Sequence, residues 1–540
     1  MKKYLLVILC ITFLAIAALG AYFGANNMIN AIYDFRSPIS NIPPIPGDPL
    51  SQPIPEKIVV VLVDALRLDT SQAVDTMPYL NHLREMGASA TMHSQTPSYS
   101  APGYSTLFIG AWPYLNDGPV FNLEYDDIPV WTQDNLFSAA HRNGITTGIS
   151  AFNWFEKLVP QEDVDLSFYT PGEDRMADEA VVNAALKWLR QPGNQFILVH
   201  FDQVDYAGHH EGGASSQSWM EASKRADDLL AQIGAEMDLE QDVLIVLSDH
   251  GQINAGGHGG HESEVLTEPY VMAGKGIRLG AYPDIQMVDV APTIAALLGA
   301  NFPASSVGSV QTAMLELSDE AIDSYLESEA ATHLKLTRLY SSAIGQPWKE
   351  GDTIESSREE HLAKERLVRL PFALVILLIP PFLVIWRKMQ SIRYLLPGSL
   401  SAVLLFHGFY GVISRKAYSF SAIDSPISLI VYCAITMITA VILGFVVSLL
   451  VKQKAFNDRL DTTKHVLSFS FTTIYLWLIP FLWSFWLNGY APTWTLPRMD
   501  AFFWALLALI GVLFTAAAGL LITAIYPQLW MLFRHGRKTR

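Results

Sequence analysis

The sequence predicts two kinds of structure in one chain: an α/β domain with a mostly parallel sheet covered by helices on both faces, and an all-α transmembrane bundle. Three observations carry this expectation. Half of the 540 residues are hydrophobic and only 16% are charged, which excludes a single small soluble domain and a disordered tail. The charge is divided, with 19 basic and 48 acidic side chains in residues 26–366 but 15 basic and 4 acidic ones in residues 367–540. Within the acidic part, short β-rich apolar runs alternate with helical patterns, as in parallel strands joined by crossover helices.

In chain order, the first element follows Lys2 and Lys3, an apolar run from Tyr4 to about Ala25. At about 1.5 Å per residue it crosses a hydrocarbon core of about 30 Å. Residues 1–25 therefore read as an N-terminal transmembrane anchor, longer than the apolar core of a cleaved signal peptide. Residues 26–55, rich in proline after Asn41, form a linker to the domain at 56–314, and residues 315–366 form a polar helical connector.

The transmembrane domain, 367–540, contains five further apolar runs, near 367–386, 394–413, 427–451, 465–488 and 500–526. Six spans with the N-terminus inside put Arg387–Arg393, Lys452–Lys464 and Arg534–Arg540 on the inner side, in accord with the positive-inside rule. Arg415 and Lys416 fall on the outer side as a mild exception, and Trp483, Trp486 and Trp494 suit an aromatic belt. The protein is thus expected to be a multi-pass integral membrane protein with its polar domain extracytoplasmic, outside a plasma membrane or in the lumen of the endoplasmic reticulum. Pro380, Pro381 and Pro480 are expected to kink their helices. His407, the clearest ionisable group within the spans, reads as a satisfied core residue, and the scarcity of such groups argues against a transporter.

In the polar domain, Ile58–Val63, Gly144–Ser150, Phe196–Phe201, Val243–Leu247 and Pro269–Met272 read as buried strands. Helix signals lie at Met77–Met86, Gln133–Asn143, Asp178–Arg190 and Ser218–Met237. The acidity of this part repels nucleic acid and suits a domain with carboxylate metal ligands. Cys10 and Cys433 both lie in apolar stretches, so the polar domain holds neither a disulfide nor a thiolate metal site.

Polar residues gather at the carboxyl ends of the strands, where open α/β sheets bind ligands. Asp64 follows IVVVLV, Asp205 follows FILVHFDQV, and Asp249 and His250 follow DVLIVLS. Alone, each Asp reads as a cap or turn residue. Together with His209, four residues after Asp205, and with His258 and His261 in GGHGGHES, they supply oxygen and nitrogen donors for two divalent ions, Zn2+ first and Mn2+ as the alternative. Ser100, in TPSYSAPGYSTLFIG, precedes a helix expected to begin around Pro102 or Gly103; a helix N-terminus favours an anion, so Ser100 is the candidate nucleophile. Tyr99, Tyr104, Trp112 and Trp154 read as core packing, with lining of a pocket as the alternative.

Over residues 56–310 the motifs VDALRLD, PSYSAPGYSTLFIG, VDYAGHHEG, SDHG with GGHGG, and VDVAPTIAALLGANFPASSVG occur in an order that resembles the alkaline phosphatase superfamily. The resemblance is to its type I phosphodiesterase and nucleotide pyrophosphatase branch and, more closely, to the ethanolamine phosphate transferases of glycolipid anchor assembly. It implies an alkaline phosphatase-like fold, with Ser100 as the residue that becomes phosphorylated. It further implies that Asp64, Ser100, Asp249 and His250 hold one metal and that Asp205, His209 and His258 hold the other. Asn122 in GPVFN looks like the family asparagine that steadies a phosphoryl oxygen. His261 competes with His258, and the GxHGG context favours His258. Sulfatases of the superfamily need C/S-x-P-x-R, whereas this chain has SAPGY with Tyr104 in place of arginine, which disfavours sulfatase activity.

The expectation is a membrane-anchored two-metal phosphoryl-transfer enzyme that cleaves phosphoesters through a phosphoserine. With water as the second acceptor it is a phosphodiesterase or phosphatase. The alternative is a phosphoethanolamine transferase acting on a lipid or glycolipid, for which the anchor, the exported domain and the multi-span C-terminal half all speak, although that group carries more spans than the five here. A non-catalytic membrane protein is disfavoured because every expected ligand and the nucleophile are present.

Overall fold

The computed structural model describes residues 2–423, 425–452 and 456–536. Lys454 and the end of the basic tail lie outside them, as does Asp424. The described chain forms two compact units, one of residues 35–361 with 493–496 and one of residues 2–34, 362–492 and 497–536.

The first unit is built on a nine-stranded sheet: β1 (Lys57–Val63), β2 (Ala88–His93), β3 (Thr146–Phe152), β4 (Leu166–Thr170), β5 (Gln195–Phe201), β6 (Val243–Leu247), β7 (Thr267–Gly274), β8 (Gly280–Ala281) and β9 (Ile285–Gln286). The order is β4-β3-β5-β1-β6-β7-β2-β8, with β9 beside β2. From β4 to β6 all neighbours are parallel, and β7 runs antiparallel to both β6 and β2. The sheet is thus mostly parallel, as expected, with an antiparallel insertion on one side.

Burial on both faces is why the central strands are continuous apolar runs. Val59, Val61 and Val63 of β1 pack with Ile197, Val199 and Phe201 of β5 and with Val181, Val182, Trp219 and Ala222 from the helices Arg175–Leu189 and Gln217–Ala235. Each such aliphatic side chain contributes about 1.5–3 kcal/mol on burial. Leu62 lies on the opposite face, in register with His200 of β5, and there the helix Ser100–Ile109 covers the sheet, buried at every position. Helices on both faces are therefore observed.

Among the described residues are six helices long and apolar enough to cross a membrane: Tyr4–Tyr33, Ile354–Trp386, Ile392–Ile413, Pro426–Lys452, Arg459–Asn488 and Met499–Gln528. The first continues beyond Ala25, and the second begins upstream of Leu367, because polar residues extend each apolar run as unbroken helix. Gly398 and Gly444 meet backbone to backbone, the close helix approach that small residues permit in lipid. Nearby, Leu395, Ala402, Val441, Phe445, Val466 and Phe469 form a core. His407 Nδ1 lies 3.1 Å from the Tyr418 hydroxyl.

Candidate functional site

Three adjacent strands, β5, β1 and β6, end side by side, and the residues that follow them converge. Asp64 follows β1, Asp249 and His250 follow β6, and β5 leads through Asp202 into the helix Gln203–His210, which places Asp205 and His209 one turn apart. Ser100 is the first residue of the helix Ser100–Ile109, which begins before the expected Pro102; a proline in the first turn costs no helical hydrogen bond.

His250 is the hub. Its Nε2 lies 3.3 Å from Ser100 Oγ, 3.5 Å from Asp64 Oδ1 and 3.4 Å from Asp249 Oδ2. Its Nδ1 lies 3.0 Å from the Gly251 carbonyl, which can only accept, so the ring proton belongs on Nδ1 and the Nε2 lone pair faces the cluster. Asp64 Oδ1 and Asp249 Oδ2 are buried and accept no hydrogen bond among the described residues. Lone pairs left bare in this way are costly unless a cation takes them.

On the other side, His209 Nε2 is 3.5 Å from Asp205 Oδ1, and the His258 ring centre lies 4.6 Å from that of His209 and 4.8 Å from that of His250. Two sets of donor atoms lie close enough to hold an ion: Asp205, His209 and His258, and Asp64, Asp205 and His250, each within 4.8 Å. Asp205 offers an oxygen to both. The structure thus brings together Asp64, Ser100, Asp205, His209, Asp249, His250 and His258, whereas His261 is exposed and in neither set. Asn122 stands at the edge, its Oδ1 accepting the Ala101 amide at 3.0 Å, with no recorded partner for its Nδ2 among the described residues.

The model of the type I phosphodiesterase / nucleotide pyrophosphatase family matches residues 58–336, more than half of the chain. The chain belongs to that family. Among its relatives, "GPI ethanolamine phosphate transferase 2, catalytic subunit" of Homo sapiens is 26% identical over 287 residues, covering 49% of this chain and 29% of that protein. "GPI ethanolamine phosphate transferase 2" of Kluyveromyces lactis is 23% identical over 343 residues, covering 57% of this chain and 43% of that protein. The matched stretch thus spans less than half of either relative. A solved member of the alkaline phosphatase superfamily from Vibrio parahaemolyticus is 16% identical with a TM-score of 0.38, covering 55% of this chain and 80% of that one.

Divalent metals, which alkaline phosphatase superfamily members use, find a fitting donor set here in the bare oxygens of Asp64 and Asp249 and in the imidazoles of His209, His250 and His258. The electrostatics are those of a site built for cations. Burial, reinforced by Asp64 and Asp205, drives the Asp249 and Asp202 carboxyls well above the usual range, and burial also raises Asp205. Asp64 goes the other way: burial opposes its charge, but the hydrogen bond from His200 and the neighbouring His250 hold it below the usual range.

Three residues of this family member's site escape a reading of the sequence. His200 sits inside β5, its Nε2 3.2 Å from Asp64 Oδ2 and 2.9 Å from the Tyr104 hydroxyl. Tyr104, rightly expected in the core at 1% exposure, also donates its hydroxyl to Asp64 Oδ2. Gln252 donates from Nε2 to Asp205 Oδ1. The only signal for His200 was a histidine amid apolar strand residues; Gln252 lay two residues beyond the SDHG histidine and gave none.

Proposed function

We propose that this chain moves phosphoethanolamine from a phospholipid to a hydroxyl of a lipid-linked acceptor, through a covalent intermediate on Ser100. The observation that carries phosphoryl transfer is the position of Ser100 Oγ at the start of a buried helix, 3.3 Å from His250 Nε2 and beside two bare carboxylate oxygens. Transfer rather than hydrolysis is supported by the relatives, named for ethanolamine phosphate transfer, and by six helices suited to a lipid phase.

In this reading Asp64, Ser100, Asp249 and His250 hold one ion and Asp205, His209 and His258 the other, with Zn2+ as the ion. When bound, the ions lower the pKa of the Ser100 hydroxyl and neutralise charge on the phosphoryl oxygens. Ser100 Oγ attacks phosphorus in line, the bond to the diacylglycerol oxygen breaks, and over this half-reaction the Ser100 proton passes to that oxygen. The acceptor hydroxyl then attacks the phosphoserine diester, and its proton returns to Ser100. Asn122 Nδ2 steadies a nonbridging oxygen, its own carbonyl tied to the Ala101 amide. The α/β unit works on the extracytoplasmic side.

Full-length protein in nanodiscs, given phosphatidylethanolamine labelled in its headgroup and a glycolipid acceptor, is expected to label the acceptor, and Ser100→Ala is expected to abolish labelling. Release of the label to water at one rate with or without acceptor would replace this reading with the hydrolase.

A further inference from the structure

We infer that Tyr104 and His200 are positioning residues that restrict Asp64 to single-oxygen metal binding, an inference that rests on the metal-site reading proposed above. The two oxygens of the buried Asp64 carboxylate have different surroundings. Oδ2 receives the Tyr104 hydroxyl and lies 3.2 Å from His200 Nε2, while Oδ1 receives no hydrogen bond and faces His250 Nε2 at 3.5 Å. His200 Nε2 also lies 2.9 Å from the Tyr104 oxygen. With its proton on Nε2, His200 donates into both oxygens, and its Nδ1, buried without a partner, then has no proton to place.

Two donors on one carboxylate oxygen consume the lone pairs that a two-oxygen chelate would need. They also fix the rotation of the carboxylate, so that Oδ1 points to the same place as the Asp249 and His250 lone pairs. The device is rigid. Tyr104 is stacked on Phe155 with ring centres 4.5 Å apart, His200 meets the Tyr104 ring edge-on at 5.3 Å, and the His200 and Asp64 side chains are 0% and 1% exposed. Ser100 and Tyr104 lie one turn apart on one helix. The helix that presents the serine therefore also sets the carboxylate across from it, coupling the two by backbone geometry. A phenol does this without adding a charge, whereas an arginine at position 104 would place a cation against Asp64.

Full-length protein stripped with chelator and titrated with Zn2+ tests this, with metal content per chain and apparent Kd as readouts beside the melting temperature. Tyr104→Phe removes one oxygen and is expected to weaken one of the two ions by about 10–100-fold and the other by much less. His200→Ala should do the same, and His200→Gln, which keeps a donor, should recover much of the loss. An effect on melting temperature with both Zn2+ affinities unchanged would overturn the inference and leave Tyr104 and His200 as packing residues. Wild-type protein that binds no Zn2+ would instead overturn the underlying metal-site reading.

Discussion

Gly208 backs directly onto Gln252: a methyl group at position 208 would stand 1.7 Å from Gln252 Oε1. The obstructed atoms are the movable end of a side chain, so Gly208→Ala would displace Gln252 rather than strain the backbone. Gln252 is also the group that donates to Asp205. Gly208→Ala and Gln252→Ala are each expected to lower metal affinity by about 10-fold, and the double variant by no more than either, because both remove one interaction. Additive losses in a double-mutant cycle would disconnect Gly208 from Asp205.

Asn122→Ala leaves both sets of metal donors intact and removes the amide at the edge of the site. Turnover is expected to fall by about 100-fold, as when one donor to a developing oxyanion is lost, with metal content unchanged. Steady-state kinetics beside elemental analysis separate the two effects.

Glu268 is wholly buried, receives Ser94 Oγ at 2.6 Å, and is driven by burial well above the usual range. The unfolded chain loses this proton at lower pH than the folded one, so stability falls as pH rises from the ordinary glutamate range toward the folded value, by up to about 1.4 kcal/mol per pH unit. Glu268→Gln cannot ionise, and denaturant melts across that range should show a shallower decline. An unchanged slope would mean that Glu268 is not the source.

Asp117 adopts the left-handed conformation with φ +59° and accepts from Arg36 Nη2 at 2.6 Å, Ser37 N at 2.8 Å and Thr132 Oγ1 at 2.8 Å. Asp117→Ala keeps an unfavourable backbone and loses all three bonds, at an expected cost of about 2–4 kcal/mol. Asp117→Asn tolerates the conformation and keeps one of the two acceptor oxygens, so it should cost less. Equal melting temperatures for the two variants would contradict this.

How far the sequence led depended on where each residue's role was settled. Val243–Leu247 is apolar throughout because it lies inside the sheet, between a parallel and an antiparallel partner, and is buried at every position, and its limits are readable to the residue. Leu166–Thr170 is only half-buried at the sheet edge, and Ala88–His93 mixes small and polar residues, so neither carries a period that marks a strand. The site divides in the same way. Asp64, Asp249 and His250 follow apolar strands and announce themselves, whereas His200 acquires its role only through the register that sets it opposite Leu62, two residues before Asp64. Tyr104 shows its hydroxyl partner only once the helix is laid on the sheet.

Asp205 belongs to both groups of donor atoms. In the proposed two-ion reading Asp205 ligates one ion while its carboxylate stays within reach of the other's donors, so the two sites would sense each other rather than act as independent receptors. The chain with one ion would then be its own chemical species, with a different charge and a different Asp205 from either the bare or the filled protein. Its abundance at limiting metal, rather than either affinity alone, would set how sharply the protein switches on as the ion becomes plentiful.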